Sequence, residues 1–229
     1  MVQKLNKELN AYQWALPDGI NVPPDELQAR LDFYRDSIIF YLLDKGVITT
    51  KQVSAQDISL AVLSETPLNS GLLPGDALWW QQTRAGVKIA LWRAPKVWSV
   101  ALQEEAFKPA RRFSLPMPGL IFVCSAGRPP SIYAVKRRPK STGEFIYRAP
   151  LFNVYDGGST CPGTHQYPQE VDKIPESFFN AFFTKAAVFN SRSRKYPDNL
   201  LKLWEEINGK AKYPLSDLVK MGTVGDLLK

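Results

Sequence analysis

Pro150-Leu151-Phe152-Asn153-Val154-Tyr155-Asp156-Gly157-Gly158-Ser159-Thr160-Cys161-Pro162-Gly163 packs turn formers between an amide side chain and a thiol, with Asn153 and Cys161 eight residues apart. Gly157 and Gly158 can take backbone conformations closed to other residues, and Asp156 and Ser159 favour local side-chain-to-backbone hydrogen bonds. Thr160 and Cys161 are therefore expected to leave a tight, irregular turn. A thiol presented that way is open to a partner.

Outward from this segment the hydrophobic pattern sets the fold class. Upstream, Phe145–Tyr147 reads as a short strand, and Leu120–Cys124 and Ser131–Lys136 read as a hairpin around a loop holding Gly127, Pro129 and Pro130. Leu115-Pro116-Met117-Pro118-Gly119 is a proline-bounded joint. Before it, Ala77–Gln81, Val87–Trp92 and Lys96–Leu102 are rich in Trp, Val and Ile, which predicts consecutive antiparallel strands. Short strands are expected at Val47–Thr49 and Ile58–Leu63. From Glu26 to Lys45, Leu27, Leu31, Tyr34, Ile38, Tyr41 and Leu42 recur at three- and four-residue steps, predicting a helix that ends at Gly46. Residues 1–25, broken by Pro17, Pro23 and Pro24, form an irregular extension.

Downstream, Pro175–Val188 and Pro197–Asn208 read as helices, each with a proline where a first turn tolerates it, and residues 214–220 as a further helical turn. Phe178, Phe179, Phe182 and Phe183 form an aromatic stripe expected to be core. The order is helix, antiparallel meander, irregular loop, helices: an α+β arrangement, with 26–229 as one domain.

Composition narrows the function classes. With 229 residues and 45% apolar content, the chain can bury a core without disulfides. Cys124 and Cys161 are too few for a stapled secreted fold, and with the lone His165 they fall short of a zinc tetrad, so no metal is expected. The N-terminus lacks a signal peptide and no apolar run approaches membrane-helix length, which predicts a cytoplasmic protein whose thiols stay reduced. A net charge of +7 favours acidic partners. Its basic residues gather at Arg111 and Arg112, at Lys136, Arg137, Arg138 and Lys140, and at Arg192, Arg194 and Lys195. Solvated turns explain these clusters best; an acidic protein surface comes next. Nucleic acid comes last, because no aromatic residues interleave with them as a stacking platform requires.

The segment from Pro150 to Gly163 resembles the active-site stretch of ubiquitin-conjugating (UBC) enzymes, where His-Pro-Asn precedes an irregular loop, a Gly and the thioester cysteine. The eight-residue step from Asn153 to Cys161 and Gly158 three before the cysteine both match. The nearer resemblance is to the prokaryotic UBC-superfamily group family D, known as PRTRC system protein B, through the Arg148–Gly163 stretch. Leu73-Pro74 before Leu78-Trp79-Trp80, the run Leu115–Val123, Phe182-Phe183-Thr184 and Gly222–Leu228 extend the likeness over about 70–229. Leu151 and Phe152 stand where the conjugating enzymes have His and Pro, and the region Phe182–Asn190 lacks the His of the family pattern.

The resemblance implies a UBC-like fold in which Cys161 holds a modifier's C-terminal carbonyl as a thioester and Asn153 assists, either at the oxyanion or by bonding the loop backbone. Tyr155, Asp156, Gly157, Gly158 and Ser159 would form the active-site loop, with backbone N–H groups biasing the thiol toward the reactive thiolate. Implied partners are a ThiF-type activating enzyme, a ubiquitin-like modifier and a JAB-type metalloprotease; the activating enzyme consumes the ATP, so no cofactor is expected. The alternative is a non-catalytic UBC-like binding module in plasmid or mobile-element maintenance. A Cys/His hydrolase built on Cys161 and His165 is the weaker enzyme reading, since spacing signals no third orienting residue. Cys124, inside an apolar run, reads as a small buried residue.

Overall fold

The computed structural model describes residues 2–3, 28–44, 46–65, 70–83, 86–105, 108–161, 163–184 and 191–229, and the chain divides into two compact units, Met1–Asn69 and Ser70–Lys229. The first unit is an antiparallel sheet of β1 (Val2–Gln3), β2 (Ala29–Phe33), β3 (Ile38–Asp44) and β4 (Val47–Val53) in the order β1-β4-β3-β2, followed by helix α1 (Ala55–Glu65). Apart from Val2–Gln3, the expected leader lies outside the described residues.

The described part of the helix expected over Glu26–Lys45, residues 28–44, is instead a hairpin. Leu31 faces Phe40 and Phe33 faces Ile38, and the Tyr34 N–H bonds the Ser37 carbonyl at 2.8 Å around Arg35 and Asp36. Ile38-Ile39-Phe40-Tyr41 is a β-branched and aromatic run, which gains more from cross-strand pairing than the three- and four-residue spacing gains in a helix. Gly46, with φ +78°, serves the β3–β4 turn rather than a helix end.

The strand expected at Ile58–Leu63 is helix α1. Ser54 starts it: its backbone N–H and hydroxyl donate to Asp57, at 3.0 and 2.8 Å, while its hydroxyl accepts the Asp57 N–H at 3.0 Å. This reciprocal cap fixes a first turn that a short apolar run alone does not announce.

The second unit is built on one long bent hairpin. β6 (Gly86–Arg93) pairs with β9 (Gly119–Cys124), and β7 (Lys96–Gln103) pairs with β8 (Arg111–Met117). Arg93 faces Leu120 and Lys96 faces Met117, so the register passes unchanged through Pro95 and Pro118. Neither proline has an N–H to give the ladder, and the strands bend into two sheets there. β7 therefore continues β6 instead of folding back on it as a meander. Beyond the bend, β5 (Ala77–Thr83), β10 (Ser131–Val135), β11 (Phe145–Arg148) and β13 (Lys220–Thr223) complete the sheet β13-β11-β10-β9-β6-β5. On the other side, β12 (Phe182–Thr184) adds in parallel to β7.

The continuous apolar run of β9 reflects two covered faces, since alternate side chains of a strand point to opposite sides. Leu120, Phe122 and Cys124 enter the larger core with Phe178, Phe179 and Trp204, contributed by α2 (Ile174–Asn180) and α3 (Leu200–Ile207). Ile121 and Val123 pack the other way, with Tyr133, Ile146, Met221 and Val224. The helix expected over Pro175–Val188 stops at Asn180, where Ala181 turns extended (φ −73°, ψ 159°) and the chain enters β12. Phe183 is thereby buried and Phe182 turned outward, 65% exposed. Residues 185–190, including the end of that expected helix, lie outside the described residues. The helical turn expected at 214–220 appears as the 3-10 turn Leu215–Asp217. The protein is thus mixed α+β, mostly antiparallel sheet with few helices. Among the described residues no helix is long and apolar enough to cross a membrane.

Candidate functional site

The motif segment is a miniature hairpin. The Cys161 N–H donates to the Asn153 carbonyl and the Tyr155 N–H to the Ser159 carbonyl, both at 2.7 Å, with Val154 bridged to Thr160 between them. Asp156, Gly157 and Gly158 close it, and the Gly158 N–H bonds the Tyr155 carbonyl at 2.8 Å. The far arm joins the main sheet through Ser159 beside Ser131 and the Ile132 N–H on the Gly158 carbonyl at 2.7 Å. Alternation sorts its side chains: Val154 and Thr160 are buried, whereas Asn153, Tyr155 and Cys161 are half-buried and Ser159 exposed on the opposite face. Asn153 and Cys161 thus occupy facing positions.

Gly158 is required where it stands. Its φ is +89°, and a Cβ there would lie 2.3 Å from the Tyr133 ring, whose hydroxyl donates to the Gly157 carbonyl at 3.0 Å. Gly157 has open space around it.

Leu151 and Phe152 are core anchors, 1% and 3% exposed. Phe152 packs edge-on to Trp204, centroids 4.8 Å apart, and the Trp204 indole N–H donates to the Pro150 carbonyl at 2.9 Å. Arg192 supports the hairpin from the other end. Its Nη2 donates to the Val154 carbonyl at 2.6 Å and reaches Asp156 at 3.2 Å, and Arg148 reaches the same Asp156 oxygen at 3.3 Å. Burial pushes the Arg192 guanidinium down to about 10, so it stays protonated at neutral pH. Arg192 stands next to Ser193, which Asp217 holds by accepting its hydroxyl at 2.9 Å and the Lys195 N–H at 2.7 Å. Sequence reading placed Arg192 in a solvated basic turn; it is 2% exposed. The Ser193–Asp217 tie beside it spans distant positions and leaves no local signal.

Asn153 adopts φ +62°, and its amide reaches β12 through its oxygen and one of its two N–H groups. Nδ2 donates to the Phe182 carbonyl at 3.0 Å, and Oδ1 accepts the Thr184 N–H at 3.1 Å. The side chain acts as a peptide group capping an edge strand.

Cys161 is half-buried, and its influence on the neighbouring Tyr155 holds that phenol above its ordinary value. Cys124 is buried in the core, and burial pushes its thiol up to about 12. His165 has a ring nitrogen 2.8 Å from the Ser177 hydroxyl on α2 and stacks edge-on to Tyr167.

A half-exposed thiol on a braced hairpin, with an amide in the facing position, can form and release a covalent adduct with a partner. No curated protein and no solved structure matches the chain. The family model of prokaryotic E2 family D matches residues 54–221, well over half of the 229 residues. The match runs from the Ser54 cap through the motif hairpin to β13, and the chain belongs to prokaryotic E2 family D.

Proposed function

We propose that the protein accepts a bacterial ubiquitin-like modifier from a ThiF-type activating enzyme as a thioester on Cys161, in a UBC-like layout, and transfers it to an acceptor. Family membership together with the half-exposed position of Cys161 on its hairpin carries this reading. The Cys161 thiolate attacks the modifier's C-terminal carbonyl and displaces the activating enzyme's thiolate; an acceptor amine then forms the new C–N bond, Cys161 leaves as thiolate, and the ammonium proton passes to water. ATP is spent by the activating enzyme, and this chain needs no cofactor of its own. The reaction belongs in the reducing cytoplasm, within a set of proteins of the PRTRC type that includes a JAB-type metalloprotease.

Mixing the protein with its activating enzyme, the candidate modifier and ATP should give a gel-shifted adduct that a thiol reductant removes and that Cys161→Ala abolishes. No adduct on the wild type, or one that survives the substitution, contradicts the reading. The second reading, a non-catalytic UBC-like module in plasmid or mobile-element maintenance, is favoured by one observation: Leu151 and Phe152 in the His-Pro positions are committed to the core. It predicts binding of the same partners without an adduct.

A further inference from the structure

The basic cluster that starts at Lys136 has no aromatic residues interleaved with it in sequence, and the fold supplies them from β11. Tyr147 faces Ala134 of β10 on one side and Lys220 of β13 on the other, so alternation sets Phe145, Tyr147 and Lys220 on one face of the sheet, with Lys136 one residue past β10. As far as Ala134 and Tyr147 that face belongs to the larger core. Beyond them it opens: Phe145 is 49% exposed, and Lys136 and Lys220 are exposed. The Lys220 ammonium lies 3.4 Å from the centre of the Phe145 ring and the Lys136 ammonium 5.4 Å from that of Tyr147, both within cation–π range. A groove of about 470 Å³ runs here, lined by the apolar Val135, Pro139, Phe145 and Tyr147 and by the cations Lys136 and Arg137.

The turn beside the groove is firmly built. Glu144 accepts the Lys140 N–H at 2.9 Å and the Arg137 side chain at 3.1 Å. The Val224 N–H bonds the Glu144 carbonyl at 2.9 Å and the Gly225 N–H the Thr142 carbonyl at 2.8 Å. The Glu144 carboxylate is thus engaged within the turn, and among the described residues Lys136 and Lys220 have no carboxylate partner. Each ammonium rests on a ring instead, so an incoming carboxylate meets a cation already ordered. The same contacts disfavour nucleic acid, whose bases stack on successive open rings. Lys220 occupies a face of the Phe145 ring, and Tyr147 is only 8% exposed. We propose that this groove binds an acidic peptide segment of a partner protein, with carboxylates at Lys136 and Lys220 and an apolar side chain against Phe145. The surface shares no residue with the motif hairpin and does not depend on the thioester reading.

The test selects peptides from a random phage-displayed library against the full chain. The selected set should be enriched in Asp and Glu flanking an aliphatic or aromatic residue; a set without acidic enrichment overturns the proposal. A synthetic peptide copied from that set should bind Lys136→Gln/Lys220→Gln about threefold more weakly than wild type and Lys136→Glu/Lys220→Glu about tenfold or more. Phe145→Ala should weaken it about fivefold, and Lys136→Arg/Lys220→Arg should retain binding. Circular dichroism should show each variant folded, and the Gln and Arg pairs decide the matter if charge reversal unfolds the chain. Acidic peptides that bind all the variants as tightly as wild type overturn the assignment to this groove. Oligo-dT should fail to displace the peptide; displacement at equal concentration gives the groove to nucleic acid and overturns the proposal as well.

Discussion

Cys124 and Cys161 carry the same side chain at the ends of two strands, and their surroundings give them opposite chemistry. Cys124 closes β9 on the face that packs the larger core, and burial pushes its thiol up to about 12. Cys161 closes a hairpin with a single bridge of its own, Val154 to Thr160, on the face turned away from the core, beside a phenol. Period-2 alternation decides the outcome for Cys161, since a shift of one residue in its arm would turn it inward, whereas both faces of β9 are covered and bury Cys124 in either register. Reactivity here is a property of register before it is a property of cysteine.

The largest expected effect is in labelling. In the native protein Cys161 should react with a maleimide about a thousandfold or more faster than Cys124, which waits for unfolding; equal rates, read by peptide mass, would break the contrast. Next, Trp204→Ala should cost about 3–5 kcal/mol in urea unfolding. The substitution removes an indole packed on Phe113, Phe152 and Phe183 and the bond to Pro150 beneath the motif hairpin. A cost under about 1 kcal/mol would mean that the core on which Cys124 lies does not also brace Cys161.

Smaller and more local is the glycine pair. Gly158→Ala forces a methyl against Tyr133 at positive φ and should cost about 1–3 kcal/mol. Gly157→Ala, with nothing near its new methyl, should stay within about 0.5 kcal/mol. Equal costs would show that the hairpin does not rest on Tyr133. The smallest effect is electrostatic: Glu206 accepts from Lys195 at 2.7 Å and Tyr196 at 2.6 Å, and these bonds hold its carboxyl down at about 2. A carboxylate lowered on folding stabilises above its unfolded value of about 4.3 and loses that contribution as pH falls toward 2. Glu206→Gln should therefore flatten a small part of the Tm decline below about pH 4; an unaltered pH profile would show that the bonds from Lys195 and Tyr196 contribute nothing to stability.

What was legible in the sequence was local. The step from Asn153 to Cys161 could be read because a short hairpin places those positions face to face, and the strands of the second unit because their apolar runs are bounded by Gly and Pro. The first unit misled because Leu31, Tyr34, Ile38 and Tyr41 fit a helical face, while the pairing of Leu31 with Phe40 is invisible to spacing. The Ser54–Asp57 cap of α1 was there to be seen and was outweighed by a short apolar run. Arg192 under Val154, and Asn153 on β12, depend on partners 38 and 29 residues away, which no local pattern encodes. Tyr155 was visible as a member of the loop, but its place near Cys161 follows from the ladder register of the hairpin.

The thioester claim is tested most directly by peptide mapping of the adduct formed with the activating enzyme, the modifier and ATP. The modifier's C-terminal residue should be found in thioester linkage on the peptide containing Cys161. An adduct mapped to Cys124, to a lysine, or to no site on this chain would contradict the account.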